Sequence, residues 1–353
     1  MKIMFVTNSL SGGGAERATN ILINALSDTG TDVALVAIND GPKDLVEPAC
    51  DVFELKREWQ GGLVSVLKAY FGLQASIRKW KPDFLVLNCD IPELLGSITF
   101  GKHNLIAVEH ASQPWPQRQP LGRFVRKLLC LRKTSWVAVS DHLKVWGLNA
   151  LPNIVINNAI NPLDHLPKTQ VRDDFNLIRR LVFVGRLSPE KNPSVLVSVS
   201  KEVKLPLLFI GSGNQYEEIR ELCEHAGVSF EMTGFIKDPW SEFQSGDLLV
   251  IPSKNEGDGL VLVEAVQRGI PLVVSDIPDL ARFRLQKVNY FKDSSSLIKT
   301  IIASEENINQ FIVSTEIADG LLNDRKPEKV GNKWLNFLIK ELSGERQNPS
   351  KVK

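Results

Sequence analysis

Short runs of consecutive apolar residues alternate along this chain with longer stretches in which apolar residues recur every three or four positions. In the first half, Lys2 to Asn8, Val33 to Ile38, Phe84 to Leu87 and Leu105 to Glu109 read as strands, and Ala15 to Leu26 and Val64 to Arg78 as helices. A second series of strands begins near Leu181 and continues through Leu207 to Ile210, Ser229 to Thr233, Leu248 to Ile251 and Leu272 to Val274. Strands that are apolar along their whole length and separated by helical stretches belong to parallel sheets covered on both faces. The expected fold class is therefore α/β, with two doubly wound, Rossmann-like parallel-sheet domains whose carboxyl strand ends make a cleft. Between the two series, Asn161-Pro-Leu-Asp-His-Leu-Pro-Lys-Thr-Gln170 is polar and carries proline, as a linker should. The domains expected are residues 1–162 and 172–327, and the last amphipathic stretch, Val330 to Leu342, can pack on either.

Composition narrows the function classes more than it identifies one. With 353 residues, 43% hydrophobic and 24% charged, the chain can bury two ordinary cores. A formal net charge of +1 argues against a nucleic-acid binder held mainly by phosphate contacts. No apolar stretch approaches the roughly 20 residues that a membrane helix needs, and Met1 to Leu10 reads as a first strand rather than a signal peptide. Cys50, Cys89, Cys130 and Cys223 are far apart, which indicates neither a zinc site nor a disulfide framework. The expected location is cytoplasmic, with no metal and no resident cofactor.

Candidate chemistry collects where strands end and helices begin. Glu256 and Glu264 are separated by seven residues across the loop and first helical turn that follow Asp247 to Pro252. Loop amides and a helix N-terminus suit an anionic pyrophosphate there, and Gly259 and Leu260 would present them. Two carboxylates would repel phosphate, so they are expected to accept hydrogen bonds from hydroxyls on either side of it. Upstream, Arg180-Leu-Val-Phe-Val-Gly185 delivers Arg186 and Lys191 to a strand's carboxyl end. A planar fork and a mobile point charge together fit a diphosphate and the charge that grows on a leaving phosphate. A third strand ends in Gly211-Ser-Gly213, where small residues let a backbone approach a nucleotide.

The glycine loop Ser11 to Gly14 also follows a strand, and Gly13 and Gly14 let the backbone approach a sugar or phosphate. It fails as a Gly-x-Gly-x-x-Gly dinucleotide site because Arg17 stands where the third glycine belongs. His110 closes the run Asn104 to Val108 and so sits at a first-domain strand end, whereas His103, His142, His165 and His225 read as solvated or helix-surface residues. From Arg118 to Lys133, six cations (Arg118, Arg123, Arg126, Lys127, Arg132 and Lys133) interleave with apolar residues at helical spacing and no acidic residue. Such a segment is either a face that rests on anionic lipid or an ordinary helix whose Leu and Phe side chains enter the core.

Taken in order, Ser11-Gly-Gly-Gly-Ala-Glu-Arg17, Val108-Glu-His-Ala111, Val137-Ala-Val-Ser140, Asn157-Asn-Ala-Ile160, Gly185-Arg-Leu-x-x-Glu-Lys191 and the Glu-x7-Glu element resemble the retaining glycosyltransferases of family 4. The resemblance spans nearly the whole chain and implies the GT-B fold, with two Rossmann-like domains facing across a cleft. It implies that Arg186 and Lys191 grip the donor diphosphate, Glu264 holds the ribose hydroxyls, Glu256 contacts the donor sugar, and His110 bonds the donor sugar or the reacting centre. Likewise by resemblance, the glycine loop lines donor and acceptor, and the terminal helix, residues 328–343, returns to the first domain. The same likeness implies a donor that is a nucleotide-sugar, by family habit a UDP-sugar with guanosine as the rival base, and a glycan or a polyprenyl- or lipid-linked acceptor. No Asp-x-Asp occurs, which fits a metal-independent site, and no residue stands out as a covalent nucleophile, so front-side attack is the expected retaining mechanism. Asp258 departs from the pattern, since a third carboxylate in this loop adds repulsion next to phosphate. A GT-B epimerase or phosphorylase and a non-enzymatic nucleotide-sugar sensor remain alternatives at this point.

Overall fold

In a computed structural model, the residues described are 1–11, 13–41, 48–58, 61–115, 118–148, 150–163, 177–304 and 307–344. The chain forms two compact units, residues 1–161 with 324–353, and residues 162–323. Unit 1 begins with β1 (Lys2–Thr7), α1 (Gly14–Ser27), β2 (Asp32–Asn39), β3 (Asp51–Arg57), α2 (Leu63–Trp80) and β4 (Phe84–Asn88). It continues with α3 (Asp90–Gly96), β5 (Asn104–Glu109), α4 (Gln119–Leu131), β6 (Ser135–Ala138) and β7 (Ile154–Val155). Unit 2 contains β8 (Arg180–Val184), α5 (Val195–Val203), β9 (Leu207–Ile210), α6 (Tyr216–Ala226), β10 (Phe230–Gly234) and β11 (Asp247–Ile251). After these come α7 (Leu260–Gln267), β12 (Leu272–Ser275), α8 (Pro278–Ala281), β13 (Tyr290–Phe291), α9 (Ser294–Ala303) and α10 (Thr315–Asn323). The chain then returns to unit 1 as α11 (Pro327–Ser343), which packs on α1. The helices approach closely where Gly331 lies against Ala25, at a separation a larger side chain would contest.

The sheet of unit 1 is parallel throughout, in the order β3-β2-β1-β4-β5-β6-β7. Along β1, Ile3 and Phe5 face the core under α1 and α11, and Met4 and Val6 the core under α2, α3 and α4. This two-sided burial is why the strand reads as an unbroken apolar run. Unit 2 has the order β10-β9-β8-β11-β12-β13, also parallel. Its larger core sets Leu181, Phe183, Leu248 and Val250 against α5, α6 and α9. In each sheet the connections reverse direction once, between β1 and β4 and between β8 and β11. At such a reversal the loops leaving the carboxyl ends splay apart and open a crevice.

The sequence pattern does not reveal β3 or β6 as strands. β3 lies at the sheet edge, and its exposed Asp51, Glu54 and Lys56 break the apolar run. The linker expected at Asn161 to Gln170 lies, from Asp164 onward, outside the described residues, as does His165.

One reading of the basic segment is corrected. Arg126 is fully buried and cannot meet lipid. It binds two carboxylates that are also fully buried: Nη2 is 2.6 Å from Glu93 Oε1, and Nη1 is 2.7 Å from Glu109 Oε1. Trp115 Nε1 donates to Glu93 at 2.9 Å, and Arg126 Nη1 also donates to the Trp146 carbonyl at 3.1 Å. This cluster ties α4 to α3 and to the last residue of β5, one residue before His110. Arg132 is partly buried and donates to the Gly96 carbonyl at 2.7 Å. His103 is not a solvated residue either: it bonds Thr99 Oγ1 at 3.1 Å, and burial, then Arg132, lowers its pKa to about 4. His142 lies in the turn after β6, bonded to Ser140, while His225 is on the α6 surface as expected.

One guanidinium cannot neutralise two buried carboxylates. Burial pushes Glu109 up to about 7 despite the attraction of Arg126, and Glu93 is raised by burial as well. The folded state therefore binds a proton that the unfolded state has released, and the stabilisation present below about 4.5 is lost as pH rises through about 7. Thermal or urea denaturation from pH 5 to 8 should show stability falling by up to about 1.4 kcal/mol per pH unit in that window. Glu109→Gln should flatten the slope.

Candidate active site

Four loops at the carboxyl edge of unit 2 carry the charged residues. After β8, Gly185 has φ 148°, a conformation suited to glycine, and turns the chain into the loop that bears Arg186 and Lys191. Arg186 is exposed, and Lys191 is partly buried. Next to this loop runs the one after β11, held there because Lys254 N donates to the Glu190 carbonyl at 2.8 Å. That tie brings Lys191 Nζ to 2.6 Å from Glu256 Oε1, which also accepts from Ser253 Oγ at 2.8 Å. Glu256 N in turn donates to Asp279 Oδ2, at the start of α8, at 2.8 Å. A cation and an anion from loops on either side of the β8–β11 reversal thus share one point.

Gly259 caps α7 in the left-handed region, with φ 65° and ψ 39°, where a larger residue would be strained and its Cβ would press on Phe283. Leu260 begins the helix, so the first-turn amides point back over the loop. Glu264 lies one turn further on. Its Oε2 accepts from Trp240 Nε1 at 3.0 Å, and the Arg268 guanidinium stacks 4.9 Å from the Trp240 ring centroid. The Trp240 indole thereby orients the carboxylate. Sequence reasoning missed Trp240, although Asp238-Pro-Trp240, a helix-starting turn after the β10 loop, marked it as a placed residue.

Two expectations acquire different physical explanations. Gly211, at φ 141°, lies against the chain's own backbone: a Cβ there would overlap the Gly185 carbonyl, and one at Gly213 the Leu187 carbonyl. The close approach made possible by these glycines is that of the β9 loop to the β8 loop, which fixes the Arg186 turn. Asp258 is nearly buried and does not stand as an unbalanced third carboxylate, because Arg282 Nη2 lies 3.1 Å from Oδ1 and 3.0 Å from the Asp258 carbonyl.

In unit 1 the corresponding edge carries Gly13, Gly14 and His110. Gly13 caps α1 and Gly14 is its first residue, and Arg17 N closes the first turn on the Gly13 carbonyl at 2.9 Å. Gly12 lies outside the described residues. His110 Nε2 is 2.9 Å from Asn88 Oδ1, at the end of β4, and lines a crevice with Asn157, Asn158 and Thr19. Next to Asn88, Cys89 has φ 75°, an unusual conformation for a residue with a side chain, at the turn into α3. Among the described residues no group of three His, Cys, Asp or Glu side chains is placed to hold a metal ion.

Comparison with known proteins agrees with both halves. Residues 9–138 match the "Glycosyl transferase 4-like" family model, and residues 173–303 match "Glycosyl transferases group 1". The chain is a family-4 glycosyltransferase of the GT-B fold. It is 24% identical to the amylovoran biosynthesis glycosyltransferase AmsD of Erwinia amylovora, over 96% of this chain and 99% of the relative. It is 21% identical, over 96% and 98%, to a Campylobacter jejuni α-1,4-N-acetyl-D-galactosaminyltransferase whose name specifies a diNAcBac-PP-undecaprenol-linked glycan. Among solved structures, Anabaena Alr3699/HepE in complex with UDP and glucose superposes with a TM-score of 0.75 at 18% identity, over 96% of this chain and all of that one. No helix among the described residues of the glycosyltransferase is long and apolar enough to cross a membrane.

The Arg282–Asp258 pair gives this loop a stability test. Arg282→Ala should cost about 3 kcal/mol in urea denaturation, because it removes the guanidinium that balances a nearly buried carboxylate. Adding Asp258→Asn should recover most of that loss.

Proposed function

We propose that this glycosyltransferase moves a sugar from a UDP-sugar to a glycan acceptor carried on a polyprenyl or other lipid, in the synthesis of a surface polysaccharide, lipopolysaccharide or capsule. It keeps the anomeric configuration and uses neither a metal nor a resident cofactor. The observation that carries the reading is the meeting of Lys191 and Glu256, from the loop that also bears Arg186 and the loop after β11, at the strand reversal of unit 2. UDP is favoured because the Anabaena neighbour was solved with UDP and glucose, and a lipid-linked acceptor because the Campylobacter relative's name contains one.

In this reading the donor diphosphate draws Lys191 away from Glu256, and Arg186 adds a planar fork to the same phosphates. Glu256, parted from Lys191, accepts a hydroxyl of the donor sugar, while Glu264 accepts the ribose hydroxyls. As the sugar–phosphate bond breaks, the electron pair goes to the departing phosphate, where two cations neutralise it. That oxygen takes the proton from the incoming acceptor hydroxyl, which attacks from the same face, so configuration is retained. His110 and the Gly13–Gly14 turn serve the transferred sugar and the acceptor. The enzyme works at the cytoplasmic side of the membrane, where activated sugars and lipid-linked acceptors meet.

Incubation with UDP-sugars should release UDP only when acceptor is present, give an α-linked product by NMR, and be unaffected by EDTA. An altered nucleotide-sugar without acceptor would indicate an epimerase, and binding without turnover a sensor. Glu264→Ala should abolish the rise in melting temperature that UDP produces. Glu256→Ala should keep that rise while lowering kcat by about 10²-fold or more. Equal loss of UDP binding in both variants contradicts this division of roles.

A further inference from the structure

Unit 1 exposes large apolar side chains on the outer side of the layer formed by α2, α3 and α4. On α2, the inward positions Ala69, Leu73 and Ile77 enter the core, while Val64, Leu67 and Phe71 stand outward at helical spacing, 67%, 46% and 65% exposed. Beside them, the turn after α3 presents Ile98 and Phe100, 46% and 74% exposed. This turn is fixed rather than loose: Gln74 Nε2 donates to the Phe100 carbonyl at 2.7 Å and Gln74 Oε1 accepts from Phe100 N at 2.9 Å. From its other side Arg132, at the end of α4, holds the Gly96 carbonyl. On α4 itself Val125 and Leu129 are buried, whereas Phe124 and Leu131 are 59% and 80% exposed. An apolar surface therefore runs across three successive elements tied to one another.

Its charge is of one sign. From Gly61 to Pro82, Leu94 to Val108 and His110 to Ser140 the chain holds no acidic residue. Exposed cations stand on all three elements: Lys68 on α2, Lys102 after the Phe100 turn, and Arg123, Lys127 and Lys133 on or just after α4. A protein partner of mixed charge would leave no reason to exclude carboxylates from three separate segments. A flat sheet of negative headgroups over hydrocarbon satisfies both the apolar side chains and the missing acids.

We propose that this outer face of α2, the Ile98–Phe100 turn and α4 is a docking surface for an anionic phospholipid bilayer, with Phe71, Phe100 and Phe124 entering the headgroup–acyl boundary. It deepens the lipid-linked acceptor reading by giving the enzyme a fixed stance on the membrane that carries its substrate. The proposal extends the basic segment at 118–133 to two further elements and removes Arg126 from it.

The test is co-sedimentation of the full chain with vesicles of phosphatidylcholine alone or mixed with phosphatidylglycerol, with no donor or acceptor present. The wild type should partition to the anionic vesicles, and salt should weaken binding. Phe71→Ser with Phe100→Ser should reduce partitioning by at least about tenfold. Lys68→Glu with Lys127→Glu should reduce it by at least about fivefold per site. All variants should keep the wild-type melting temperature and the UDP-induced rise. The proposal is overturned if the wild type ignores anionic vesicles, if the variants at Phe71, Phe100, Lys68 and Lys127 bind as it does, or if these residues instead control self-association in sedimentation velocity. Because the vesicles contain no substrate, failure of the donor or acceptor assignment leaves this result intact, and the converse also holds.

Discussion

Lys191 and Glu256 come from loops that follow different strands, 65 residues apart in sequence, yet their charged ends are 2.6 Å apart. Their meeting depends on the neighbouring places of β8 and β11 at the reversal of the sheet, and on the backbone bond from Lys254 to Glu190. The Gly185 turn directs the cation, and the close contact of Gly211 with Gly185 keeps that turn in place. Ser253 and Asp279 hold the anion's side of the pair. A partly buried ion pair of this kind is a poor source of stability, since each charge gives up water to form it. In the function proposed above its value lies in switching: a diphosphate would offer Lys191 a stronger partner and let the Glu256 carboxylate turn to a sugar hydroxyl.

The rest of the site follows the same economy of placed charge. Glu264 is oriented by Trp240, and Trp240 is covered by Arg268, so the carboxylate is fixed by its neighbours. Asp258 is balanced by Arg282. In unit 1, the Glu93–Arg126–Glu109 cluster holds the end of β5 and thereby the backbone that presents His110. Both sheets carry their candidate residues at carboxyl strand ends, where the loops beside a strand reversal diverge and open a crevice.

Much of this was legible in the sequence because parallel strands buried on both faces leave continuous apolar runs. β1, β5, β8 and β11 declare themselves that way, and the residues just beyond them are then the site candidates. What the pattern could not show depends on pairing across the fold. β3 carries the charges of an edge strand and so resembles a loop. Arg126 looked like one more surface cation on a basic helix, since nothing local reveals that Glu93 and Glu109 lie beneath it. Gly211 reads in the sequence as a place for a nucleotide, and nothing local shows that it also lies against Gly185. Asp258 looked like a liability until Arg282, 24 residues on, was seen beside it.

The central claim is that the diphosphate of the donor displaces Glu256 from Lys191. A crystal structure of the protein with UDP tests it most directly. The account predicts phosphate oxygens within about 3 Å of Lys191 Nζ and the Arg186 guanidinium, the ribose on Glu264, and Glu256 parted from Lys191. UDP bound elsewhere, or bound here with the Lys191–Glu256 pair still closed, would contradict it.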